Sequence, residues 1–260
     1  MRKILLSVLA LGCASGYAME NSAFQAFDDQ YNIGFGMSQT NVISPGSLPS
    51  TAQVTNQSIN VDAERLFDVG VWMDVQANFA ISSVRNQPYG IGASGDTGSN
   101  ALNQGFNLGG LNAKVGYAFT LADQHIQITP YALGGINTNW SSSTVAANGG
   151  ANLTQDYFYT GGVGARLEYR INNAVLVYAD QNGTYNWDQS APLGGIQPQN
   201  NTALTSTLGA KFNVVKNLQL GVNGFYNYYQ PQGTVPTFNG QKVYTPQDAF
   251  GGVVSVGLTY

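Results

Sequence analysis

The chain has 260 residues, of which 9% are charged and 12% aromatic, with 32 glycines and a net charge of −4; its mean hydropathy is −0.11. Soluble domains carry roughly 25% charged residues, so an ordinary soluble surface is disfavoured, and the negative balance gives no reason to expect nucleic acid as a partner. No uninterrupted apolar stretch approaches the ~20 residues of a membrane-spanning helix, which leaves apolar residues diluted by alternation, as in a transmembrane barrel.

The N-terminus has the parts of an export signal. Arg2 and Lys3 precede a short apolar core at 4–11, and Gly16-Tyr17-Ala18 supplies a small-x-small cleavage site. A signal peptide over 1–18 is expected, cut after Ala18. Lipoprotein processing is the alternative, at Ala10-Leu11-Gly12-Cys13, although that pattern prefers Leu where Ala10 stands. With the ordinary cut the single cysteine is discarded, and neither disulfide nor thiol chemistry remains. Residues 19–29 read as a short polar leader in the periplasm, and 30–260 as the barrel.

In the first strand Tyr31, Ile33, Phe35 and Met37 share one face, and Asn32, Gly34, Gly36 and Ser38 the other. An uncharged Ser/Pro/Thr-rich loop is expected over 41–54. From Ile59 to Ile81 the odd positions are apolar with the exception of Arg65, and Asn60, Asp62, Glu64, Asp74, Gln76 and Asn78 stand on even ones. One strand of that length would run ~75 Å, whereas a membrane strand needs about 9–11 residues. A turn must therefore interrupt it. Asp68-Val69-Gly70 fits a three-residue hairpin loop, whose last residue favours glycine in the left-handed region and which leaves parity unchanged. The region splits into strands near 55–66 and 71–83.

A Gly/Ser/Asn loop over 84–104 follows. The fourth strand sets Leu111, Ala113, Val115, Tyr117, Phe119 and Leu121 outward, and a tight turn at Ala122-Asp123-Gln124-His125 leads to the fifth. There Ile126, Ile128, Ala132 and Ile136 point outward, which puts Tyr131 and Leu133 inside. A loop is expected over 138–154. The sixth strand alternates Tyr157, Tyr159, Val163, Ala165, Leu167 and Tyr169 with Thr160, Gly162, Gly164, Arg166 and Glu168. Asn172-Asn173-Ala174 turns into the seventh, followed by a loop over 188–201. Val215-Lys216-Asn217 joins the eighth to the ninth, and a last loop over 231–246 reaches the closing strand.

Connections thus alternate short and long, the pattern of tight periplasmic turns and longer outer loops. The fold class expected is an all-β, antiparallel up-and-down transmembrane β-barrel of ten strands. Eight is the alternative, if 19–66 were an extension and 67–83 one long strand. Aromatics gather in two belts, Tyr159, Tyr185, Trp187, Tyr228 and Phe250 near the outer rim, and Phe67, Phe119, Tyr169, Phe212 and Tyr260 near the inner one. A secreted β-sandwich also alternates, but it does not predict the belts and the loop asymmetry together.

Few residues suggest chemistry. His125 is the only histidine and falls in a short turn, so histidine-based catalysis and metal clusters lack parts. Gly90-Ile91-Gly92-Ala93-Ser94-Gly95 matches the dinucleotide fingerprint by letter, but no strand–helix context surrounds it. Asn139-Trp140-Ser141 and Asn152-Leu153-Thr154 reflect the abundance of Asn, Ser and Thr. No catalytic residue, cofactor or metal is expected. Asp62, Glu64, Asp74, Lys114, Arg166, Glu168, Asp180 and Lys211 all stand on the polar parity near periplasmic turns. Strand tilt would gather them in the lower lumen. The structural reading is an ion-pair network plugging the barrel, and the functional one is a charged constriction in a narrow passive channel.

The closing stretch, Ala249 to Tyr260, carries Phe250, Val254, Val256, Leu258 and Tyr260 on one face. It resembles the closing strand of bacterial outer-membrane β-barrels, which implies that Val256, Leu258 and Tyr260 belong to an assembly signal read by the barrel-assembly machinery. With the Thr129-Pro130-Tyr131 to Gly134-Gly135 segment, and Gly161-Gly162-Val163-Gly164 to Glu168-Tyr169-Arg170, the chain resembles small outer-membrane barrels of the outer membrane protein A transmembrane or opacity-protein type. The resemblance implies a non-enzymatic protein of the Gram-negative outer membrane, with lipids as partners. Its lumen is expected to be largely filled by polar and charged side chains, and its exposed loops to be available to an unidentified extracellular ligand. Ten strands depart from the eight of those relatives.

Overall fold

The computed structural model describes residues 22–44, 50–85, 104–121, 124–145, 151–188, 200–231, 237–238, 241–242 and 245–259. The expected signal segment with Cys13, the glycine-rich run at 90–95, and Tyr260 lie outside the described residues. Ten strands form one antiparallel sheet: β1 (Gln30–Ser44), β2 (Ser50–Leu66), β3 (Val71–Arg85), β4 (Gln104–Tyr117, resuming over Phe119–Leu121), β5 (Ile126–Val145), β6 (Ala151–Arg170), β7 (Val175–Asp188), β8 (Asn201–Val215), β9 (Leu218–Pro231) and β10 (Thr245–Thr259). Each pairs with its sequence neighbour, and β1 also pairs with β10 from Gln30↔Thr259 to Ile43↔Thr245, so the sheet closes into a barrel with no free edge.

The hidden turn is real, and it excludes the eight-stranded alternative. The Phe67 amide donates to the Val71 carbonyl at 2.8 Å, and the Gly70 amide donates back to Phe67 at 2.8 Å. Gly70 has φ +86°, and a Cβ there would press on the Tyr117 ring of β4. Glycine answers both demands. The Gly70 carbonyl also accepts the Ala118 amide at 2.8 Å, where the β4 ladder is briefly interrupted.

The outer surface is an apolar belt. Phe35, Val163, Leu208 and Leu258 are 62–70% exposed, as expected of side chains whose solvent is lipid. On β5, Ile128 and Ile136 are exposed while Tyr131 is buried, so the outward parity there is the even one. Tyr159 pairs with Trp187, and Tyr226 with Phe250, toward the long-loop end.

Two expected loops are mostly strand. Pairing of β1 with β2 continues to Ser44↔Ser50, and that of β5 with β6 to Val145↔Ala151. The loops expected over 41–54 and 138–154 are thus much shorter. Beyond the bilayer both faces of a hairpin are wet, so the ladder continues without the apolar alternation that sequence reading relies on. Asn139 and Asn152 accordingly lie in strands rather than loops.

The expected polar leader is also corrected. Its described part forms a helix, α1 (Ser22–Asp28), seated in the turn end of the barrel. Seven residues are too few for a helix to be stable alone. Phe24 and Phe27, three apart and on one face, are fully buried in a cluster with Leu66, Trp72, Ala118, Tyr131 and Leu176. That burial stabilises α1.

Candidate functional site

The lumen has two storeys. In the turn-end storey, β2, β3, β4, β6, β7 and β8 each send charged side chains inward. Arg166 bridges Glu64 (Nη1–Oε1, 2.7 Å) and Glu168 (Nη2–Oε1, 2.7 Å). Lys211 bridges Glu64 (2.7 Å) and Asp28 (2.8 Å). Glu64 is the hub, because it also accepts from Trp72 Nε1 at 2.9 Å and from Gln30 at 2.7 Å. Beside this group, Lys114 sits between Asp74 (3.3 Å) and Asp180 (3.4 Å), and the Tyr131 hydroxyl donates to Asp180.

Aromatic rings join the two groups. Trp72 and Tyr131 lie 5.6 Å apart, Arg166 is 4.4 Å from the Tyr178 ring centre, and Lys114 is 5.4 Å from that of Tyr131. Tyr131 faces Gly164 of β6 across the ladder, where a Cβ would collide with its ring. The charges are therefore packed as well as paired, the condition under which buried ions are tolerated.

Helix α1 completes the layer. Lys211 Nζ donates to the Phe27 carbonyl at 3.1 Å, Asn213 to that of Ala26 at 3.1 Å, and Gln127 to Asp28 at 3.2 Å. Gln25 Nε2 reaches Asp68 at 2.7 Å. Asp29 accepts the Leu66 amide at 2.8 Å, and burial raises its carboxyl above the ordinary value. The carboxylates of Asp28, Glu64 and Glu168 come within 4.8 Å of one another, a spacing that could bracket a metal ion. Lys211 and Arg166 already provide the positive charge there.

The loop-end storey is different. Above the ionic layer lies a cavity of about 450 Å³, walled mainly by amides and hydroxyls. Asn112 and Asn137 exchange hydrogen bonds at 2.8 Å in both directions. Asn137 also donates to Thr160 (2.9 Å), Thr160 to Asn186 (2.8 Å), and Asn186 to Asn201 (2.7 Å). This girdle crosses five consecutive strands, β4 to β8. On the adjoining strands Asn78 of β3 donates to Asn60 of β2.

All eight residues expected as a lumenal charge network point inward. Glu64, Arg166, Glu168 and Lys211 meet in one group, and Asp74, Lys114 and Asp180 in another. Asp62 stands at the cavity floor, accepting from Asn32 at 2.9 Å. A lumen largely filled by side chains describes only the turn-end storey. The small residues of the loop-end wall do not reach across a ten-stranded barrel.

Sequence reading missed Asp28 and the amide girdle. The signal for Asp28 was present: Leu66, Trp72 and Leu176 are apolar residues on lumenal parity near the turns, so an apolar occupant was needed there. His125 is exposed in the β4–β5 turn, 2.8 Å from the Arg170 carbonyl.

No family model and no curated protein matches the chain. Solved structures do. The β domain of the Bordetella autotransporter BrkA is 13% identical, with 90% of this chain and 100% of that one covered at a TM-score of 0.50. An outer membrane channel from Pseudomonas putida F1 is 10% identical, covering 89% and 94%, at 0.48. The Escherichia coli outer membrane protease OmpT is 10% identical, covering 89% and 96%, at 0.44. The fold is that of the bacterial outer-membrane β-barrels, and the exposed apolar belt is the surface that a membrane-spanning barrel presents to lipid.

Proposed function

We propose that the protein is a non-enzymatic outer-membrane barrel, closed at its turn end, whose projecting hairpins meet the exterior. The observation that carries this reading is the continuous layer of α1, Asp28, Lys211, Glu64, Arg166 and Glu168 across the turn-end lumen. Buried, mutually paired groups of this kind offer no low-energy path to a hydrated ion. The projecting part is best seen in β5 and β6, of 20 residues each. About 9–11 residues suffice to cross a membrane, so roughly half of that hairpin is available to an extracellular ligand, as are the loops. Against lipid, the exposed faces of Val256 and Leu258 fit the expected assembly signal.

The full chain in a planar bilayer tests the closed-barrel reading. It should give no discrete conductance at moderate voltage. Steady unitary currents that change on Lys114→Met or Arg166→Met would replace it with a narrow passive channel.

A further inference from the structure

We propose that the cavity on the loop side of the ionic layer is a binding site for a small neutral polyhydroxylated solute, of mono- to disaccharide size. Its volume, about 450 Å³, lies within the roughly 300–1,000 Å³ of small-molecule sites. The chemistry of its wall selects the class.

An asparagine amide offers two N–H donors and an oxygen with two lone pairs. Within the girdle Asn112 uses one N–H and one lone pair on Asn137. Asn186 accepts from Thr160 and donates to Asn201. Each retains a second donor and a second acceptor, and both residues line the cavity. The wall thus presents donors and acceptors side by side. A hydroxyl group is itself both, so adjacent hydroxyls satisfy such a wall completely. An ammonium ion has no acceptor to offer it, and a carboxylate or sulfate has no donor.

Two further features support this class. Phe225 lines the β9 side of the cavity and Tyr229 lies near it on the same strand, giving aromatic faces on which the C–H surface of a pyranose packs. The floor offers anions no uncommitted cation. Asp62 and Asp180 border the cavity, Lys114 is already held by Asp74 and Asp180, and Arg166 by Glu64 and Glu168.

The test is titration calorimetry on the full-length barrel in detergent micelles, with glucose and maltose as probes and glucosamine, glucuronate and sulfate as charged controls. The neutral sugars should bind with dissociation constants of ~1–10 mM, and glucuronate and sulfate about tenfold more weakly or not at all. Asn137→Leu removes three of the girdle's five hydrogen bonds, and Thr184→Trp fills the cavity without replacing a girdle residue. Each should weaken maltose binding by about tenfold or more, in protein whose heat-shifted gel mobility shows an intact barrel. If one variant does not fold, the other and the wild-type sugar series decide the matter. The site is disproved by neutral sugars that release no heat up to ~50 mM, by tighter binding of a charged control, or by maltose binding that both folded variants retain. Conductance plays no part in the readout, so a failure here is distinguishable from a failure of the closed-barrel reading.

Discussion

The two storeys of the lumen are built from the same strands and the same inward parity, yet they use opposite polar chemistry. At the turn end, carboxylates meet Lys and Arg among Trp72, Tyr131, Phe24 and Phe27, and water is displaced. At the loop end, neutral amides hydrogen-bond to one another around a space that can hold water or a solute. Where the lumen is dry, only full pairing offsets the desolvation of a charge. Where it stays wet, neutral groups suffice, and each remains available to a ligand. One end is packed around its ion pairs, and the other encloses a polar cavity.

Breaking the dry storey should have the largest effect. Glu64→Ala removes the acceptor shared by Arg166, Lys211, Trp72 and Gln30, and leaves two cations underpaired. A loss of ~3–5 kcal/mol is expected, measured from urea unfolding of the micelle-bound barrel by gel mobility. Phe27→Ala empties the buried contact of α1, at a cost of about 3 kcal/mol. Protease cleavage near residue 29 should rise in that variant, while the barrel bands stay intact. Unchanged protection would show that α1 does not depend on the aromatic cluster.

Smaller effects sharpen the contrast. Gly70→Ala forces a Cβ into a left-handed turn and against Tyr117. It should cost ~1–2 kcal/mol, seen as a lower midpoint in the same assay with the ten-stranded fold retained. Asn112→Ala in the wet storey should cost only about 0.5–1 kcal/mol, because water replaces the lost amide. A loss near that of Glu64→Ala would mean that the loop-end lumen is as dry as the turn end, and the distinction between the storeys would fall.

Much of the barrel is legible in the sequence. The odd-position run from Ile59 to Ile81 demanded a turn, and Asp68-Val69-Gly70 was the segment able to make it without changing parity. The parity of β5 puts Tyr131 inside, and the structure places it in the lumenal cluster beside Trp72. The extents of the outer hairpins were not legible, since no lipid face imposes alternation on residues such as Ser141 or Thr154. Nor was α1, because Phe24 and Phe27 in a polar stretch declare a helix only when a pit exists to receive them.

The amino-acid sequence by itself determined the antiparallel order and the side on which each lipid-level residue falls, and it favoured ten strands over eight, because a side-chain period of two against lipid leaves no alternative face. Only the tertiary structure decided which inward groups meet. Arg166 finds Glu64 across 102 residues of chain, Lys211 finds it across 147, and Asp28 reaches Lys211 across 183. Those partners are set by how the closed sheet staggers its strands around one lumen, a three-dimensional quantity to which no local pattern in the chain corresponds.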